Sequence, residues 1–265
     1  MRSIYLSFFV LEFKKWMGYR VDFWLQFVAN LFVEVSIAYF LWDSIFTFQG
    51  VSQIGGFSFD QMLVYYVIGS FVGKMIRTGD EMQMSREIYE GTLTNVLLYP
   101  LSTLWLKLVV KFSYAALAYT QFLLCVIVLP FFIQSFTIDV LSLVVGTYLL
   151  LYSIALAYLL NMLMELIAFW FENVWTMIVL MRFVTQFLGG AYLPISLYPQ
   201  KVQDYLSLSP FPYTFSTPVK TLMGDWSLQI FIKAQVISVV WIIALSLLLA
   251  LVWKRGQLKY TGAGQ

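Results

Sequence analysis

Glu34 and Arg182 stand inside long apolar runs of this sequence, and they are the groups whose chemistry most needs a partner. Glu34 lies about a dozen residues beyond Asp22, and Arg182 about ten beyond Glu172. At 1.5 Å per helical residue, both would sit about 15–18 Å deep if those runs cross a bilayer. An arginine at that depth costs on the order of 2.5–3.5 kcal/mol on insertion scales, so each residue needs a counter-charge, water or an inward-facing site. The two are natural candidates for each other. Gln26, Asn30 and Glu34 recur every four residues, as do Arg182, Gln186 and Gly190, so each helix would carry a polar or small stripe on one face.

Other chemistries lack their residues. The chain has no histidine and a single cysteine, Cys125, within an apolar run. The commonest metal ligand, the usual proton shuttle and an internal disulfide are therefore all missing, and neither a catalytic site nor a metal site is expected. Gly69-Ser70-Phe71-Val72-Gly73-Lys74 superficially resembles a phosphate-binding loop. The Walker spacing needs four residues between the glycines and Ser or Thr after the lysine, whereas three intervene here and Met75 follows. The glycines suit close helix packing instead, and no cofactor is expected on this chain. The 16 basic residues are dispersed and the net charge is only +2, which argues against a nucleic-acid surface.

The elements that must position these groups are membrane helices. Hydrophobic residues make up 61% of the chain and charged ones 11%, against roughly a quarter charged in soluble domains. Apolar runs of about 20 residues, each enough to cross a hydrocarbon core of about 30 Å, recur along it. The expected fold is all-α, with residues 1–265 forming one polytopic membrane domain. Its six spans are near Phe23–Phe46, Met62–Ile76, Leu104–Phe132, Leu141–Met164, Val174–Tyr192 and Ile230–Trp253. Trp24, Trp42, Trp105 and Trp253 fall near span ends, as interfacial anchors do.

Basic residues fix the orientation. Arg2, Lys14, Lys15 and Arg20 precede the first span, Lys74, Arg77, Arg86, Lys107 and Lys111 flank the second connection, and Lys254, Arg255 and Lys259 follow the last span. Only Lys201, Lys220 and Lys233 fall on the other side, and the connections Thr47–Gln61 and Ile133–Val140 have no lysine or arginine. Both termini are therefore expected in the cytoplasm. Residues 1–21 carry Tyr5, Phe8, Phe9, Phe13 and Trp16 at helical spacing beside Lys14, Lys15 and Arg20, the pattern of a helix lying in the membrane interface.

Two non-span segments are long enough for structure of their own. The inner one, 77–103, holds Asp80, Glu81, Arg86, Glu87 and Glu90, then Leu93, Val96, Leu97 and Leu98. A helix there would be amphipathic, able to enter a groove on another protein or to lie as a solvated loop beside the membrane. The outer one, 193–229, has five of the seven prolines, Pro194, Pro199, Pro210, Pro212 and Pro218, after Gly189-Gly190. Such punctuation breaks helices repeatedly.

Glu90-Gly91-Thr92-Leu93, the leucine-rich run after it and Pro100 resemble the segment after the second span in permease subunits of type-2 ATP-binding-cassette transporters. Gly190-Ala191-Tyr192-Leu193-Pro194 and Ser209-Pro210-Phe211-Pro212 resemble that family's outer segment before the last span. The resemblance covers nearly the whole chain. It implies that Glu87, Glu90, Gly91, Thr92, Leu93, Leu97 and Pro100 form a cytoplasmic coupling helix docking on an ATPase, with Gly91 permitting close backbone approach. It implies that Gly189, Gly190, Pro194, Pro199 and Pro210 shape helices that re-enter the outer leaflet. It also implies that Gln26, Asn30, Glu34, Arg182 and Gln186 line the pathway or the dimer contact. Two ATPase subunits binding ATP and Mg, a second permease subunit, identical or paralogous, and membrane lipids would be the partners. The setting implied is a bacterial inner membrane, and the cargo a hydrophobic or amphipathic compound for export. An ion-coupled secondary transporter using Glu34, Arg182 and Glu165, or a non-transporting membrane scaffold, is the alternative.

Overall fold

The computed structural model describes residues 2–18, 20–77, 82–128 and 138–262. Asp80, Glu81 and the connection from Ile133 to Thr137 lie outside the described residues, as do the side chains of Arg2, Trp16 and Arg20. Helix α1 (Arg2–Gly18) leads to α2 (Arg20–Gln49) and, after a turn, to α3 (Phe59–Ile76). Ser58 starts α3 through a capping box: its hydroxyl accepts from the Gln61 amide at 3.3 Å, and the Gln61 side-chain oxygen accepts from the Ser58 amide at 3.0 Å. The helix therefore begins three residues before the expected Met62, drawing Asp60 into its first turn.

Two short helices follow, α4 (Gln83–Tyr89) and α5 (Leu93–Leu97), then the long α6 (Thr103–Val128) and α7 (Val140–Glu165). Asp139 caps α7 by accepting from the Ser142 amide at 3.1 Å. A 3-10 turn, Leu166–Phe169, leads toward α8 (Trp175–Gly189). Another, Ile195–Leu197, precedes α9 (Gln200–Leu206), α10 (Phe211–Thr214), α11 (Ser216–Leu222) and α12 (Leu228–Gln257).

Among the described residues, four stretches are long and apolar enough to cross a bilayer by length and composition: Trp24–Gln49, Thr103–Ile127, Val140–Phe169 and Leu228–Gln257. Their outward faces are apolar too, with Val28, Phe32 and Phe40 on α2 and Val236, Val240 and Leu247 on α12 all exposed. Helix α3 has 18 residues with Asp60 and Lys74 in its end turns. Helix α8 has 15 residues, about 22 Å at helical rise against a core of about 30 Å. It is shorter than the expected Val174–Tyr192 because Gly190, at φ 92°, ends it. The Gly190 amide donates to Phe187 O (3.2 Å) and the Ala191 amide to Gln186 O (2.8 Å), the paired bonds of a Schellman motif that glycine accommodates without strain.

Two apolar cores fill the bundle. The first joins Phe27 and Trp42 of α2, Tyr65 and Phe71 of α3, Phe122 of α6 and Leu222 of α11. The second joins Met84 and Ile88 of α4, Leu93 of α5, Leu163 of α7, Leu166 of the 3-10 turn, Ile178 of α8 and Leu249 of α12. Helix α7 serves both, giving Leu150 and Ile154 to one and Leu156 and Leu160 to the other. Helix α1 lies along α6.

The proline-rich segment packs inside this frame. Pro194 precedes the 3-10 turn, Pro199 caps α9 and Pro210 caps α10, starts where a missing N–H costs nothing. Helices α10 and α11 press against α7, and α11 also reaches α3. The Ser153 hydroxyl of α7 donates to Tyr213 O at 2.7 Å and Tyr65 OH donates to Gly190 O at 2.8 Å. Irregular backbone buried among helices thus finds its partners in protein side chains.

Candidate functional site

Helices α4 and α5 and the turn between them form the most distinctive local structure. The turn depends on Gly91, whose φ of 76° is a left-handed conformation costly for other residues. Leu93 and Met84 have no exposed surface and Ile88 is 5% exposed, so the apolar side of this unit is already spent on the second core. Leu93 anchors the segment from within. Glu87 is also turned inward, paired with Lys107 of α6 at 2.5 Å and accepting from the Gln83 side chain at 2.8 Å.

What remains outside is a compact tip. Glu90, Thr92, Leu97 and Pro100 are exposed, and so are Tyr89, Tyr99 and Leu98, the last at 78%. Burying an apolar side chain such as Leu98 is worth about 1.5–3 kcal/mol, which favours covering this tip with another surface.

Two side chains distant in sequence hold the unit. Glu165, at the C-terminal end of α7, is only 3% exposed. Its carboxylate accepts from the Met84 amide at 2.7 Å, the Ser85 amide at 3.3 Å and the Asn161 side chain at 2.8 Å, satisfying donors that α4 cannot satisfy itself. Tyr260, just beyond α12, donates its hydroxyl proton to Gly91 O at 2.6 Å and accepts from the Thr94 amide at 3.1 Å. Its ring meets Phe169 edge-on at 6.1 Å, and Phe169 meets Trp253 at 5.8 Å. Sequence reasoning missed both roles. The available signals were a carboxylate between Met164 and Leu166 and a lone tyrosine after the last apolar run.

A cavity of about 310 Å³ borders α4, its charged lining drawn from Glu12 and Lys15 of α1, Glu87 of α4, Lys107 and Lys111 of α6, and Glu165. A second, mostly apolar cavity of about 280 Å³ is bounded by Glu34, Ser70, Arg77, Tyr66, Gln186 and Tyr192. The structure brings Glu34 of α2 and Gln186 of α8 to the wall of one cavity. Within the chain Glu34 accepts from the Ser70 hydroxyl at 2.5 Å and lies 3.8 Å from the Arg77 guanidinium. Arg182 is half-buried on α8. Gln26 and Asn30 stand exposed on the same face of α2 as Glu34. Gly189 is buried against Phe211 O and Thr214.

Among the described residues, no group of His, Cys, Asp and Glu is arranged to hold a metal ion. A protein-family model described as "ABC-2 family transporter protein" matches residues 32–264, most of the chain. No curated protein and no solved structure matches it.

Proposed function

We propose a mechanism from one fact: the chain belongs to the ABC-2 transporter family and is a membrane-embedded permease subunit, the kind that works with ABC ATPase subunits. Two such permease subunits, identical or paralogous, form the pathway, and two ATPase subunits carrying ATP and Mg bind beneath. Each chain crosses a bacterial inner membrane six times, α3 and α8 counted, with both termini inside. Helices α10 and α11 re-enter from the outer side. The cargo is a hydrophobic or amphipathic compound moved outward.

The observation that carries this reading is the exposed tip at Tyr89, Glu90 and Leu97–Pro100, held on a unit whose other side is buried. An exposed apolar patch on a rigid support is what docking on another protein needs. Nucleotide-driven closure of the ATPases shifts the permease only because its docked contacts differ between the two states. The reading is tested by copurification. A Walker-motif ATPase should be retained by the wild-type chain in detergent, and Leu98→Asp should reduce that retention about tenfold, the equivalent of about 1.4 kcal/mol. Equal retention by the variant would remove the tip from the interface.

The second permease subunit is placed on the face of α2 bearing Gln26, Asn30 and Glu34, opposite Arg182 and Gln186. The exposed polar stripe on an otherwise apolar outer surface supports this, since such groups in lipid need partners. Asn30→Cys, in a Cys125→Ala background, should give a disulfide- or linker-joined dimer of permease chains in membranes. A chain that stays monomeric under conditions where exposed cysteine on the apolar face crosslinks would argue against this arrangement.

A further inference from the structure

We infer that Glu165 and Tyr260 are positioning residues that convey movement of the α4–α5 unit into α7 and α12, making these helices the first to follow the ATPase. The inference rests on the docking reading above and adds the route by which the force leaves the docking tip.

The unit is fastened unevenly. On one side, Glu165 of α7 accepts from the first amides of α4, and Tyr260 bonds to both Gly91 and Thr94. Between these fastenings Met84, Ile88 and Leu93 share one core with Leu163, Leu166 and Leu249. Gly256 of α12 lies so close to Phe169 that an added Cβ would fall 2.1 Å from the ring, which keeps the end of α12 and the Leu166–Phe169 turn in one packed body. On the other side, toward α1 and α6, the unit borders the cavity of about 310 Å³; there the Glu87–Lys107 pair joins it to α6, and the half-buried Leu104 and Leu108 of α6 pack against the same core. Among the described residues, helix α2 contributes Phe27, Ala38 and Trp42 to the first core and nothing buried to the second. A displacement of α4 and α5 is therefore carried most directly into α7 and α12 and reaches α2 through intervening helices, by way of α3 and α1. Packed interiors move as bodies rather than deforming continuously.

The experiment uses the full chain with its copurified ATPase in lipid nanodiscs, on a Cys125→Ala background. Spin labels at Phe48→Cys and Leu228→Cys, both strongly exposed positions at ends of α2 and α12, report the α2–α12 distance with and without ATP plus vanadate. The wild type should show a nucleotide-dependent shift. Tyr260→Phe, which deletes one hydroxyl, and Glu165→Ala should reduce that shift to about half or less while ATPase retention and vanadate-sensitive hydrolysis stay near wild type. Glu165→Gln, which keeps an acceptor oxygen for the α4 amides, should recover part of it. A full shift in both Tyr260→Phe and Glu165→Ala overturns the inference, as does a wild type that retains the ATPase yet shows no shift. A wild type that retains no ATPase overturns the docking reading itself, so the two failures are distinguishable. Should Glu165→Ala fail to fold, Tyr260→Phe decides alone.

Discussion

Gly91→Trp should insert normally into the membrane yet leave ATP hydrolysis uncoupled from transport. Two effects combine at this position. Gly91 holds φ at 76°, a conformation that costs an ordinary L-residue about 1–2 kcal/mol. Its carbonyl is also the acceptor for Tyr260, so relaxing the backbone breaks the fastening of the turn. A cost of that size corresponds to about a tenfold loss of the native turn, and on the docking reading the indole adds bulk where an ATPase surface approaches.

A graded series separates the two effects. Asparagine tolerates left-handed backbone better than alanine does, so Gly91→Asn should retain more coupling than Gly91→Ala if conformation dominates. If approach distance dominates, alanine, the smaller side chain, should do better. The measurement is the ratio of transported probe to ATP hydrolysed in proteoliposomes, using an amphipathic fluorescent dye shown to be moved by the wild type. Wild-type coupling in Gly91→Trp would show that this turn takes no part in energy transfer.

Gly256→Val should be the most destabilising single substitution near the C-terminal end of α12. The added Cβ would sit 2.1, 2.6 and 2.7 Å from three ring atoms of Phe169, well inside any tolerable contact. Phe169 cannot simply swing away, because it is 6% exposed and hemmed by Trp170, Trp253 and Tyr260. Overpacking of this kind costs about 1–3 kcal/mol, sometimes more. Thermal unfolding in detergent should show a lowered midpoint for Gly256→Ala and a larger drop for Gly256→Val. Shortening the opposing ring with Phe169→Leu should recover part of the loss in the double variant, as expected for two residues in direct contact. A midpoint unchanged in Gly256→Val would mean that the end of α12 is not packed on Phe169.

The two variants differ in what they spare. Gly91→Trp leaves the cores intact and strikes the docking unit, whereas Gly256→Val loosens the body that carries it. Loss of coupling at full thermal stability in the first, and reduced stability in the second, would assign the turn to force transfer and the α12 end to support.

Much of the architecture is legible in the linear chain, because hydrophobic runs of bilayer length and their charged boundaries are local properties. The long helices α2, α6, α7 and α12 follow from them, and Ile76 ends α3 where expected. Gly91 and Gly190 mark the turns they occupy, since only a residue without Cβ enters positive φ freely. The family follows from motif order, with Glu90-Gly91-Thr92-Leu93 and the proline clusters in their places. Chain folding supplied the rest. Leu93 and Leu97 look equivalent in sequence, yet one is wholly buried and the other faces outward, a choice set by which side of a short helix meets α7. Glu34 takes Ser70 and Arg77 as its contacts within the chain, and Glu165 and Tyr260 converge on α4 and its turn from 80 and 169 residues away. No periodicity encodes such meetings, because buried donors and acceptors are matched across helices only once the helices have packed.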